Sequence, residues 1–90
     1  MNRAELAAKV AQQANITKKD ADYIVGLTMN TIMDAVAEGE KVQIVGFGTF
    51  EVRERSERIG RDPRTNTAIT IPYSKAPTFH PGKVFKEKVK

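Results

Sequence analysis

Fourteen consecutive residues, Arg53-Glu54-Arg55-Ser56-Glu57-Arg58-Ile59-Gly60-Arg61-Asp62-Pro63-Arg64-Thr65-Asn66, contain one large apolar side chain, Ile59. Neither a helical nor a strand period can give such a run a face to bury, so it must project into water or onto a ligand. Within it, Asp62-Pro63-Arg64-Thr65-Asn66 has turn chemistry: the proline presets φ, and Asx residues on both sides can bond back to the chain. This predicts the apex of a long ribbon. The returning strand shows Ile69, Ile71 and Tyr73 on one side and Thr70 and Pro72 on the other.

The flanks have ordinary periodicity. Asn2 followed by Glu5 has the form of a capped helix start, and Leu6, Val10 and Ala14 recur every four residues, predicting a short amphipathic helix that ends near Asn15. Thr17 with Asp20 repeats the capping signal before a longer helix from Lys18 to about Ala37, closed by Glu38-Gly39. Ala21, Ile24, Val25, Thr28, Ile32 and Ala35 form one stripe along it. Leu27, Met29, Met33 and Val36 widen that stripe until the helix needs two packing partners. From Lys41 the period becomes two: Val42 and Ile44, a Gly46-Phe47-Gly48 break, then Phe50 and Val52, which reads as a β-hairpin. Pro77, Phe79 and Pro81-Gly82 lead into a final basic helix from Lys83 to Lys88.

If residues 53–75 form an extended arm, only 67 of the 90 residues remain for a compact body. Domains of about 60 residues bury roughly 60% of their unfolded surface and are marginal alone. Without cysteine, disulfides and thiolate metal sites cannot make up the deficit. Pairing of the over-apolar second helix with its copy in another chain can. The expectation is an obligate two-fold homodimer carrying two arms on one side. No apolar run approaches the length of a membrane span, and the amino terminus lacks the layout of a secretory signal. One small soluble cytoplasmic domain is the expected class.

Charge is unevenly spread. Residues 1–50 carry five Lys/Arg against six acids, whereas residues 51–90 carry ten against five, so the whole net charge of +4 lies in the second part. Such asymmetry marks a polyanion-binding surface, with nucleic acid the first partner and an anionic membrane the second. Arg53, Arg55, Arg58, Arg61 and Arg64 fall within twelve residues. Arginine rather than lysine suits planar, multi-donor contact with phosphate, sugar and base-edge acceptors. Spaced two or three apart, these side chains share one ribbon face only if the strand twists or bulges. The plain alternative is that Glu54, Glu57 and Asp62 pair with them across the ribbon, but such pairs contribute only about 0.2 to 1 kcal/mol each.

Gly46-Phe47-Gly48-Thr49-Phe50, then Arg53-x-Arg55-x-x-Arg58-x-Gly60-Arg61-Asp62-Pro63-Arg64-Thr65, then Ile71-Pro72, Pro77-x-Phe79 and Gly82-Lys83, in this order and at these gaps, resemble the bacterial histone-like DNA-binding proteins of the HU and integration host factor family. The resemblance spans essentially the whole chain. It implies an α+β fold and an intertwined homodimer, with residues 1–40 as helical base, 41–52 and 76–82 as saddle strands, 53–75 as β-ribbon arm and 83–90 as terminal helix. It also implies that the two arms enter the minor groove of duplex DNA, with Pro63 as the wedge that unstacks a base step and kinks the helix.

Carried over position by position, the resemblance places Arg55, Arg58, Arg61, Arg64 and Asn66 along the groove and Arg53 and Lys75 at the arm base. Lys83, Lys86, Arg3 and Lys18 fall on flanking phosphates, and Lys88 and Lys90 read as tail charge. Two positions depart from the usual pattern. Asp62 stands where Asn commonly precedes the tip proline, and its carboxylate would repel phosphate unless it caps the turn or pairs with Arg64. Tyr73 replaces a small residue and is expected to pack at the arm base, the alternative being contact with sugar.

Met29, Met33, Val36, Phe47, Phe50 and Phe79 are the expected dimer-interface residues, and Phe85 joins them in the core. His80 stands alone, without a cluster of metal-ligating partners. No catalytic constellation, cofactor loop or metal site can be assembled, so no enzyme is expected. Because the minor groove distinguishes little beyond A·T from G·C, binding should be broad and should favour bent, nicked or gapped duplexes. A site-specific bender working as a heterodimer with a paralogue, an RNA-binding protein, and a basic protein that binds no nucleic acid are the readings left open.

Overall fold

The computed structural model describes every residue from Met1 to Lys90 and has the expected α+β composition. It divides into two compact units, residues 1–34 and residues 35–90.

In the first unit, helix α1 spans Arg3–Ala14 and helix α2, Lys18–Ala37, begins. Both starts are capped by side chains. Asn2 Oδ1 accepts from the Glu5 N–H at 2.9 Å, and Thr17 Oγ1 accepts from the Asp20 N–H at 3.1 Å. Asn15 ends α1 in the left-handed conformation at φ 58°, which Asn tolerates better than most residues. The buried face of α1 is not the expected Leu6–Val10–Ala14 row. Ala7 and Ala11 are buried with Ala21 of α2, Val10 packs beside them, and Ala14 is exposed. Methyl side chains let two helices approach closely, which larger residues at the same positions would prevent.

The rest of α2 is far less covered than a core helix. Tyr23, Ile24, Leu27 and Met33 each leave half or more of their surface open, and Met29 leaves 40%. Thr28 and Thr31 turn their hydroxyls back onto the helix, donating to the carbonyls of Ile24 (2.8 Å) and Leu27 (2.7 Å). Neither competes for a partner elsewhere. A contiguous apolar helix face left open by its own chain marks an interaction surface.

The second unit holds five strands and helix α3, Lys83–Val89. Strands β1 (Val42–Ile44), β2 (Gly48–Arg55) and β5 (Ser74–Pro81) form an antiparallel sheet with β2 in the centre. The β1–β2 turn closes through the Phe47 N–H on the Ile44 carbonyl at 3.0 Å, with Gly46 at φ +85°, a conformation glycine takes without steric penalty. Phe50 lies directly across from Phe79, their ring centroids 4.7 Å apart. Phe47 and Phe85 complete a four-ring cluster, stacked on each other at 5.7 Å. The Gly82 N–H, at the start of α3, donates to the Phe47 carbonyl at 2.8 Å and ties the helix to the turn. Val36 is already buried within the protomer, unlike Met29 and Met33, so it has little surface left to offer a partner chain.

Strands β3 (Arg58–Arg61) and β4 (Ala68–Ile71) pair as a separate two-stranded ribbon. The ribbon is therefore not continuous from its base. Pairing of β2 with β5 stops at Arg55 opposite Ser74 and resumes at Arg58 opposite Ile71, leaving Ser56-Glu57 facing Pro72-Tyr73 outside either ladder. Pro72 has no N–H to donate, which removes a ladder bond at this point.

Candidate nucleic-acid interface

At the tip of the ribbon, local chemistry sets the geometry. The Asp62 N–H donates to the Thr67 carbonyl at 2.8 Å and the Asn66 N–H to the Asp62 carbonyl at 2.7 Å, closing the loop over Pro63, Arg64 and Thr65. Asn66 takes the left-handed conformation at φ 57°. Asp62 Oδ1 accepts from the Arg64 N–H at 2.9 Å, an Asx turn that spans the proline. Of the two ways in which this carboxylate could be reconciled with a polyanion, the structure shows the cap. It pairs with the backbone of Arg64 and not with its guanidinium. Pro63 is exposed at the apex, between residues held on both sides.

Along the ribbon, Arg58 sits opposite Ile71 and Arg61 opposite Ala68, three residues apart and so on opposite faces of β3. Gly60 gives Ile71 room to lie across the strand, since a Cβ there would come within 2.8 Å of Ile71 Cδ1. At the base, Arg53 and Arg55 share one face of β2 with Thr49 and Glu51, while Glu54 lies on the other face opposite Lys75.

None of the five arm arginines forms an ion pair. Glu54, the acid that does find a partner there, faces Lys75, with 4.0 Å between Oε1 and Nζ. Arg61 Nη1 donates to Asn66 Oδ1 at 3.2 Å, and the other four guanidinium groups make no hydrogen bond within the chain. Cross-ribbon pairing, the plain explanation of the acids, is thus absent for the arginines. Arg53, Arg55 and Arg58 instead line an open polar concavity with Glu54, Ser56 and Glu57.

The other basic positions are dispersed. Lys83 opens α3 and Lys86 lies in its last turn. Lys18 is the first residue of α2. Arg3 is already engaged: its Nε lies 3.5 Å from Asp22 Oδ1, and Nη2 donates to the Asp22 carbonyl at 3.4 Å. Tyr73, expected to pack at the arm base, is half exposed in the break between the two ribbon segments. Thr67 was not among the expected site residues although its carbonyl anchors the tip. A backbone acceptor has no side-chain signal by which it could be found.

All of residues 1–90 match the model of a family described as bacterial DNA-binding protein. The chain belongs to that family. Within it, the chain is similar to DNA-binding protein HU 1 of Bacillus subtilis, 51% identical over 89 residues that cover 99% of this chain and 97% of the relative. To DNA-binding protein HU of Staphylococcus aureus it is 50% identical over 90 residues, covering both chains in full. In three dimensions it resembles HU in the Anabaena HU–DNA cocrystal structure, with TM-score 0.87 and 49% identity over 99% of this chain and 97% of that one. HU from Thermotoga maritima aligns over the full length of both chains with TM-score 0.70 and 41% identity. The family consists of architectural DNA-binding proteins, not enzymes. No helix of the chain is long and apolar enough to cross a membrane.

Proposed function

We propose that this protein is a histone-like architectural factor that binds duplex DNA as a two-fold homodimer, bends it and compacts the nucleoid in the cytoplasm. The observation that carries this reading is the state of the arm: five arginines without carboxylate partners on a ribbon whose apex exposes a braced proline. Arg55, Arg58, Arg61 and Arg64 meet phosphate and sugar in the minor groove, with Asn66 beside them and Arg53 and Lys75 at the arm base. Lys83, Lys86 and Lys18 touch flanking phosphates. Arg3 joins them only by leaving Asp22.

Pro63 of each arm enters a base step. Its rigid ring carries no N–H that must be stripped of water, and unstacking costs a few kcal/mol that the additional arm contacts offset. The open face of α2, with Met29 and Met33, together with the partly exposed Phe47 and Phe79, meets the same surfaces of the second protomer. The relatives named above are HU proteins, which favours broad binding over the site-specific and RNA-directed readings.

A gel-shift comparison of linear, nicked and mismatched duplexes at fixed salt tests the proposal. Tighter binding to the nicked and mismatched forms is expected, because they are cheaper to bend. Preference for an RNA hairpin, or a footprint confined to one sequence, would overturn it.

A further inference from the structure

The face of the three-stranded sheet that carries Arg53 and Arg55 also carries a cluster with no assigned role. Glu51 sits in the central strand between basic side chains from both sides, His80 and Lys41. Its Oε1 lies 3.1 Å from His80 Nε2 on β5, and its Oε2 lies 3.9 Å from Lys41 Nζ, just before β1. Register explains the grouping: Val42 pairs with Phe50, which places Lys41 opposite Glu51, while His80 pairs with Thr49 and is diagonal to Glu51. Thr78, directly across, donates its hydroxyl to the Glu51 carbonyl at 3.2 Å. The Glu51 side chain is 37% exposed, whereas His80 and Lys41 are 59% and 62% exposed. The acid is thus less exposed than either basic side chain beside it.

We infer that Glu51 restrains the sheet floor: by engaging Lys41 and His80 it withholds two donors from phosphate and leaves capture of the duplex to the arms and the terminal helix. The inference rests on the proposed reading of Arg53 and Arg55 as DNA contacts, since these share the face. It adds a positioning residue that touches no DNA itself. On the adjoining strand His80 is registered with Thr49 and contacts Glu51. A carboxylate so placed limits how far a duplex settles onto the sheet, and hence how many phosphates one dimer neutralises.

The test is Glu51→Gln, which keeps shape and hydrogen-bonding capacity while removing the charge. Affinity for a linear duplex long enough to reach beyond the arms is measured at several salt concentrations. Each phosphate contact adds about 0.9 to the slope of log K against log salt, so freeing Lys41 in both protomers should steepen the slope by roughly 2. Affinity should rise several-fold at low salt. Adding Lys41→Ala and His80→Ala to Glu51→Gln should abolish the gain. An unchanged slope in Glu51→Gln, or a gain that survives loss of both basic residues, would overturn the inference. The latter result would show simple relief of repulsion. Native protein with no salt-dependent binding to any duplex would instead refute the reading on which the inference stands.

Discussion

Asp62 and Arg64 are joined across Pro63 by a hydrogen bond from the Arg64 N–H to Asp62 Oδ1, 2.9 Å long. A negative side chain at the tip of the arginine-rich arm is thus spent on the backbone. The Asp62 carbonyl also accepts from the Asn66 N–H, so both acceptor groups of one residue hold the apex. Loss of the side-chain bond should loosen the tip by about 0.5 to 1.5 kcal/mol, the usual net worth of such a bond. Asp62→Ala should therefore lower the bend angle of bound DNA. Asp62→Asn retains the acceptor, removes the charge and should bind at least as tightly as the native chain. Energy transfer between end-labelled duplexes reads the angle, and gel shift reads the affinity.

Removal of the ring itself separates bending from binding. Pro63→Ala leaves the arginines in place, so affinity should fall modestly while the bend angle falls markedly. Equal bending by the variant, measured by the same energy transfer, would exclude Pro63 as the wedge.

Arg61 and Arg64 carry guanidinium groups free of carboxylates, and two arms double their number in the proposed dimer. Replacing both with Ala should reduce the magnitude of the slope of log K against log salt by up to about 3 to 4, at about 0.9 per phosphate contact. Fluorescence anisotropy titrations across a salt series provide the measurement. A slope identical to that of the native protein would mean that these side chains do not meet phosphate.

Met33 is 59% exposed within its own chain, which is ample surface for a partner helix to cover. Met33→Lys would place an unpaired ammonium in that interface, at an effective penalty of several kcal/mol per ion. Sedimentation equilibrium should show dissociation at micromolar concentration, accompanied by a lower Tm. A dimer of undiminished stability would place residue 33 on the outer surface.

Gly48 begins the central strand where there is no room for a side chain. A Cβ there would stand 2.6 Å from the His80 carbonyl oxygen and 2.6 Å from Phe79 Cε1. Because one obstacle is backbone, rotamer changes cannot relieve it. Gly48→Ala should destabilise the fold by about 1 to 3 kcal/mol, the usual cost of overpacking, and thermal melting would measure it.

What the sequence made legible was chiefly local. Asn2 and Thr17 announce helix starts because their side-chain oxygens can reach an N–H two or three residues on, and the structure makes both bonds. Asp62 and Pro63 mark the turn for similar reasons. The arm was legible through absence, since a run with only Ile59 to bury can have no core.

Relationships that depend on strand register or packing distance were not legible. The Glu51, His80 and Lys41 cluster joins three separate stretches of chain, and nothing adjacent to any one of them reveals the others. A recurrence of four points to Leu6, Val10 and Ala14, whereas close approach of two helices selects Ala7, Ala11 and Ala21. The ladder interruption had one local sign, Pro72. Its opposite side, Ser56-Glu57, has ordinary strand-compatible chemistry, and its loss of pairing follows from the partner strand.

That interruption bears on the broad duplex binding proposed above. Two residues on each side stand outside the ladders between Arg55 and Arg58, so the distal hairpin hangs from a joint instead of continuing a stiff plank. On the proposed reading, a finger jointed there would tilt to follow whatever curvature a duplex already has. The angle finally adopted would then reflect the compliance of the nucleic acid as much as the shape of the clamp, and a regular helix, a nick and a mismatch would need no separate tools.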